Sequence, residues 1–393
     1  MTDRQDEGRF SKEEPEMDDR AHEERAESGR EGTGLCLSGG GYRAMLFHAG
    51  ALRRLNDAGW LRKIDFISSV SGGSIAAGVL GRYWNRLRFN DADESALNFD
   101  AEVVDRIRAL ARLNIDRRSV IGGLLRPRAS IGERVAAAFR DNLFGDFTLQ
   151  DLPEHPRFII TATNLQTGKL WRFSRPYMWD WSLPKIEFPT TSLATAVAAS
   201  SAFPPFLSPV RMSIAPSEWL DPPGWNAQLP DHVILSDAGV YDNLGLEPVI
   251  KRCETVLVSD GGGQMESMVE IPHDWPRHLL RVLDVIDNQV RSLRKRSLIS
   301  SYQDGSFKGA YWGIRSDIEK YRVLDAFPVT RDLTQNLAKT PTRLHALPDD
   351  TQEQLINWGY AICDAGLRSQ VDTALNAPTS LPYPKSSLEL SRD

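Results

Sequence analysis

"GLCLSGGGYRAMLFHAGALRRLNDAGWLRKIDFISSVSGGS", residues 34–74, holds two short apolar runs, each ending in a glycine-rich turn. "GLCLS" and "IDFISSV" have the length and apolar content of buried strands. Between them Ala44, Leu46, Phe47, Ala51, Leu52 and Leu55 recur at helical spacing until Gly59 stops the run. Strand, helix and strand in that order read as a βαβ unit, whose two strands lie parallel in one sheet.

Outward from this unit the same alternation continues. "GSIAAGVLGRYWNRL" reads as a second helix, followed by a mostly helical stretch to about residue 146. "RFIITATNLQTGKLWRFS" reads as two strands about a Gly-containing turn. "HVILSDAG" and "ETVLVSDGGG" supply two more strands with the short helix "LGLEPVIKR" between them. The pattern predicts a three-layer α/β fold, a mostly parallel central sheet flanked by helices, in one domain over residues 32–375. Residues 376–393, "NAPTSLPYPKSSLELSRD", read as a loose tail.

Composition bounds the rest. The chain of 393 residues is 41% hydrophobic and 25% charged, enough to bury a substantial core. Its net charge of −6 lies wholly in residues 1–31, where 12 Asp and Glu face 6 Lys and Arg. That segment is too poor in apolar residues to fold and is expected to be a disordered acidic tail. Without a basic excess or a nucleic-acid motif, a nucleic-acid partner is excluded. Three scattered cysteines, Cys36, Cys253 and Cys363, fit neither a disulfide framework nor a metal site, and point to a reducing, cytoplasmic setting. No apolar signal segment or run of spanning length appears, so membrane contact, if made, is expected to be peripheral.

The glycine turn "SGGGYR", residues 38–43, has three readings. A phosphate-binding Walker loop is excluded, because the Gly-Lys-Ser/Thr ending is missing. Gly39, Gly41 and Ala44 fit G-x-G-x-x-A, but the next strand ends in "SGGS" rather than in the acid that a dinucleotide site needs for its ribose. The third reading is an oxyanion hole. "SSVSGGSIAAG", residues 68–78, is strand, sharp turn and helix with Ser71 at the apex, as in the G-x-S-x-G nucleophile elbow. Gly72 and Gly73 leave room for substrate and helix, and Ser69 takes the place of the first glycine. One helix earlier, Gly39, Gly40 and Gly41 can aim backbone N–H groups at an oxygen beside Ser71, donors worth roughly 2.7–4 kcal/mol each to a tetrahedral intermediate. Arg43 either adds charge to that hole or bonds nearby carbonyls.

With "SGGGYR" and "SVSGGS", the chain also carries "ASSAFPPF" at 199–206 and "DAGVYDNLGLEP" at 237–248 in the same order. Over most of residues 34–250 it resembles the patatin-like phospholipases. The resemblance implies a Ser–Asp dyad of Ser71 and Asp237, hydrolysis of lipid acyl esters, no cofactor or metal, and an oxyanion hole from the glycine loop. The implied substrate is a phospholipid or lysophospholipid. The alternatives are a soluble ester or thioester hydrolase with a Ser-His-Asp triad, for which His273 and His278 stand downstream, or an inactive lipid-binding module. His48 is expected to pack.

Two aspartates compete for the role of base. Asp260 in "SDGGG" matches the literal Asp-Gly-Gly pattern, but opens into what reads as a flexible surface loop. Asp237 has the family's context and is the choice. Ala238, where the family usually has glycine, would be strained by roughly 1 kcal/mol if the site required positive φ. For lipid access, the Trp-rich segments 176–184 and 217–230 and the basic "RSLRKR" at 291–296 are candidates for the membrane interface. Packing beneath their own loops and a solvated helix face are the favoured readings.

Overall fold

The computed structural model describes residues 30–115, 131–204, 207–220, 229–263, 265, 267–271 and 273–389. Among the described residues ten strands form one mixed sheet: β1 (Thr33–Leu37), β2 (Phe66–Ser69), β3 (Arg157–Asn164), β4 (Lys169–Phe173), β5 (Tyr177–Trp179), β6 (Ile186–Glu187), β7 (Val210–Ser213), β8 (His232–Ser236), β9 (Thr255–Asp260) and β10 (Lys308–Gly313). The order β10-β9-β1-β2-β3 is parallel throughout. Beyond β3 the strands β4, β5 and β6 add on antiparallel, and β8 pairs with both β3 and β7.

Strand alternation creates the layers. In β1, Leu35 and Leu37 enter a large core and Cys36 a smaller one on the opposite face; in β9, Leu257 joins the large core while Val256 and Val258 join the small one. The large core is covered by α1 (Gly41–Asp57), α2 (Gly72–Tyr83), α3 (Leu193–Ser200) and the terminal α5 (Asp349–Gln370). The small core is closed by residues 244–253 and by Leu298, the one fully buried residue of α4 (Trp275–Gln303).

Helices α1 and α5 touch backbone to backbone. A Cβ on Gly50 would lie 1.9 Å from the Ile356 carbonyl oxygen, and one on Gly359 would lie 1.9 Å from that of Phe47. The buried pair Arg54–Asp364, at 2.8 Å, bridges the same two helices. The residues after 250 therefore finish the fold: β10 extends the parallel sheet and α5 covers it.

The tail does not behave as its composition predicts. Asn357 Nδ2 donates to the carbonyls of Tyr383 and Ser386, the Tyr383 N–H donates to Asn357 Oδ1, and Leu388 is buried. Residues 376–389 are thus strapped across α5. The acidic segment lies almost wholly outside the described residues.

Candidate active site

Ser71 sits two residues past the end of β2 with φ 50° and ψ −118°, a conformation that costs a non-glycine residue on the order of 1–3 kcal/mol. The surroundings hold it there. Its N–H donates to Ser200 Oγ at 3.0 Å, and Ser200 Oγ lies 2.8 Å from Ser74 Oγ, which donates to Ser69 Oγ at 3.0 Å. Ser69, the departure from the expected glycine, thereby becomes one end of a hydroxyl chain that ties the elbow to α3. Glycine is required on the other side: a Cβ on Gly72 would lie 2.1 Å from the Gly41 carbonyl oxygen, and one on Gly73 would lie 2.3 Å from that of Leu37.

The same contacts bring the glycine loop against the elbow. Gly40 at φ 145° and Gly41 at φ 59° give the turn that starts α1. The Gly39 N–H is already spent on the Asn243 carbonyl at 3.1 Å, so Gly39 is corrected from donor to spacer. Among the described residues the N–H groups of Gly40, Gly41 and Gly72 have no acceptor. Gly41 and Gly72 begin helices, where such groups have no intrahelical partner.

Behind the loop, Arg43 donates through Nε to the Gly261 carbonyl at 3.0 Å and through Nη1 to that of Thr340. It is a brace, absent from the wall of the cavity that contains Ser71. Burial, then the charge of Arg291, lowers its pKa to about 9, so it stays cationic at neutral pH. His48 is a second brace. Burial lowers its pKa to about 4, its Nε2 lies 2.9 Å from the Ser38 carbonyl oxygen and its Nδ1 lies 2.8 Å from Ser259 Oγ. A neutral ring with its proton on Nε2 satisfies both contacts.

Asp237 reaches Ser71 through sheet topology. Strand β8 runs against β3 but pairs with it only over Thr163–Ser236 and Asn164–Leu235, at the carboxyl end of β3. The residue after β8 therefore arrives at the edge where Ser71 stands. Two threonines of β3 fix both turns: Thr161 donates to the Ser69 carbonyl and Thr163 to that of Asp237, each at 2.8 Å. The Asp237 and Ala238 N–H groups donate to the carbonyls of Ala202 and Ser200 at 2.9 and 3.3 Å, so the "ASSA" segment joins nucleophile turn and acid turn. Ala238 has φ −63° and ψ −25°, an ordinary helical conformation; the departure from glycine carries no strain.

The two candidate acids differ in electrostatics. Asp237 is 2% exposed, and burial pushes its pKa up to about 7, with a smaller push from Asp287. The Gly239 N–H, donating to Oδ1 at 2.7 Å, and the Ser71 hydroxyl pull the other way. Oδ2 is buried without a donor in good geometry, so the Ser71 contact is a loose one, as unliganded catalytic pairs often are.

Asp260 is buried too, not on a flexible surface loop. Burial opposes its charge, but Arg291 at 2.6 Å, Tyr311 Oη at 2.6 Å and Lys295 outweigh it and hold the carboxyl far below the usual range. Such a carboxylate is a poor base. It anchors α4 through Arg291, which also donates to the Gly262 and Gly263 carbonyls.

A cavity of about 350 Å³ has Gly39, Gly40, Ser71 and Asp237 in its wall. Arg281, Asp284, Asp287, Asn288 and Arg291 of α4 form its other side, and among the described residues no histidine lines it. His273 and His278 are exposed. The sequence reading missed the roles of Ser200, Thr161, Thr163 and Asn243. "ASSAFPPF" and "DNLG" held the signal for Ser200 and Asn243, whereas nothing in "IITATN" marks its threonines. Two tryptophans of the Trp-rich segments pack: Trp179 and Trp219 are buried and donate to the carbonyls of Leu183 and Pro230 at 2.6 and 3.0 Å. Residues 205–206 and 221–228 of the quoted motifs lie outside the described residues.

A parallel sheet that presents a strained serine beside a glycine-rich loop is the framework of serine hydrolases that act on acyl esters. The chain belongs to the patatin-like phospholipase family, whose model matches residues 35–250, more than half of its length. It is also similar to human GIVD cytosolic phospholipase A2 at 13% identity, covering 62% of this chain and 48% of that one, with a TM-score of 0.38. For the same enzyme in complex with methyl gamma-linolenyl fluorophosphonate the values are 11%, 88%, 60% and 0.45. For VipD from Legionella pneumophila they are 15%, 86%, 66% and 0.34. The chain thus aligns with about half of the length of the first human structure. No curated protein matches it.

Proposed function

We propose that the protein cleaves acyl esters of phospholipid or lysophospholipid with a Ser71–Asp237 dyad. The observation that carries this reading is a buried carboxyl held at about 7 in the same cavity as a strained serine. An ordinary carboxylate near 3.9 is too weak a base for a hydroxyl, and desolvation removes much of that deficit. Ser71 Oγ bonds to the acyl carbon while its proton passes to Asp237, and the carbonyl oxygen takes up the negative charge. The Gly40 N–H, which has no acceptor among the described residues and lies in the cavity wall, is suited to receive it. Collapse expels the alcohol, which takes the proton from Asp237; water then repeats the sequence on the acyl-enzyme and releases the fatty acid. Among the described residues no histidine stands in the cavity wall, which favours this dyad over a Ser-His-Asp triad.

A fluorophosphonate probe followed by peptide mass spectrometry tests the reading. Ser71 is expected to carry the phosphonyl adduct, and Ser71→Ala to lose both the adduct and fatty-acid release from phosphatidylcholine. Labelling at another serine, or unchanged release by Ser71→Ala, would overturn it.

A further inference from the structure

We propose that the N-terminal half of α4, with the segment leading into it, is the surface by which the protein docks on a zwitterionic lipid interface. The inference rests on the proposed action on lipid and assigns that action its point of contact. Leu279, Leu280, Val282, Leu283, Val285 and Ile286 are 38–54% exposed, over about two turns, and nothing among the described residues covers them. Trp275 at the start of the helix is 77% exposed. Just upstream, Met268, Val269 and Ile271 are exposed as well, so exposed apolar side chains recur in the segment that leads into the helix.

The shape suits the plane of a membrane rather than its thickness. Residues 275–286 span about 18 Å of helix, and among the described residues no helix is long and apolar enough to cross a bilayer. A tryptophan-led amphipathic helix of this kind lies in the headgroup region with its apolar side chains inserted. Charge selects the type of lipid. From 273 to 290 two arginines, Arg277 and Arg281, stand against Asp274, Asp284 and Asp287. The basic run at 291–296 is turned largely inward, Arg291 onto Asp260 and Arg294 toward Asp242 and Glu247. The exposed half thus offers no positive excess to an anionic surface, and apolar insertion is the force left to hold it.

Position selects lipid over a protein partner. Arg281, Asp284, Asp287 and Asn288, on the turns that carry the apolar residues, form one wall of the Ser71 cavity. A protein seated permanently on the helix would stand at the mouth of that cavity, whereas a lipid surface there delivers substrate to it.

Flotation with phosphatidylcholine vesicles tests the proposal in the Ser71→Ala protein, so that binding is read without hydrolysis. Ser71→Ala is expected to float, and adding Leu279→Ser, Leu283→Ser and Ile286→Ser together should lower partitioning at least about 10-fold while circular dichroism is unchanged. Raising salt from about 0.1 to 0.5 M should change partitioning less than about 2-fold. Should the triple variant lose its fold, Trp275 serves instead: quenching by brominated phosphatidylcholine should fall when Trp275 is replaced by Phe. Equal flotation with and without the three serines, or flotation only with anionic vesicles and only at low salt, would overturn the proposal. So would a solution dimer dissolved by the same substitutions, since a second copy would then be the occupant. Failure of fluorophosphonate labelling with flotation intact would refute the dyad and leave the docking surface standing.

Discussion

Asp237→Asn and Asp260→Asn should move stability in opposite directions. The Asp237 carboxyl has an ordinary pKa of 3.8 and is raised by burial to about 7 in the fold. Below 3.8 it is protonated in both folded and unfolded chains. Between 3.8 and 7 only the folded chain keeps the proton, so stability falls as pH rises and levels off above 7. At about 1.36 kcal/mol per pH unit, the raised pKa costs the fold about 4 kcal/mol at pH 8, where the carboxyl is ionised, and about 1–2 kcal/mol at pH 5, where the folded chain must keep the proton. An amide keeps the acceptor for the Gly239 N–H and carries no charge. Asp237→Asn should therefore be more stable than wild type, by about 2–4 kcal/mol at pH 8 and less at pH 5, while hydrolysis of a soluble ester drops about 10²–10⁴-fold. Asp260 is the reverse case. Its depressed pKa contributes stability throughout the range above the unfolded value, and an amide leaves Arg291 buried without its counter-ion, at a cost of about 3–5 kcal/mol. Urea denaturation at pH 5 and pH 8, alongside p-nitrophenyl ester turnover, reads both. An Asp237→Asn protein less stable at pH 8 than wild type, or retaining activity that Asp260→Asn loses, would refute the electrostatic assignment.

Two further outcomes follow from the contacts. Ser200→Ala removes the acceptor of the Ser71 N–H and the partner of Ser74, so it should cost about 1–2 kcal/mol in urea denaturation and lower kcat on a soluble ester more than it changes KM. Deleting residues 376–393 exposes Asn357 and the site of Leu388; each lost hydrogen bond, partly buried, is worth about 1 kcal/mol and the leucine about 2, so scanning calorimetry should show a Tm lower by several degrees. An unchanged Tm would restore the loose tail.

The sequence by itself determined what local geometry and periodicity encode. Leu35 and Leu37 alternating with Cys36 specify a two-sided strand, Ala44 to Leu55 specify the helix after it, and "SVSGGS" specifies a turn in which only glycine fits at 72 and 73. The preference for Asp237 over Asp260 also came from the sequence, through motif context, though both end strands and both are buried. Only the tertiary structure decided why they differ. Arg291, which neutralises Asp260, comes from a helix 31 residues on, while Asp237 lies where β8 meets the end of β3 and, among the described residues, no cation pairs with it. Desolvation and ion pairing depend on what packs against a group, and that information is not local. The same holds for the Gly39 N–H, spent on Asn243, and for residues 376–389, whose polar composition reads as loose until Asn357 supplies partners. It holds most plainly for α4: period 3.6 predicts an apolar face, but only the tertiary packing shows that, among the described residues, that face stays uncovered beside the cavity.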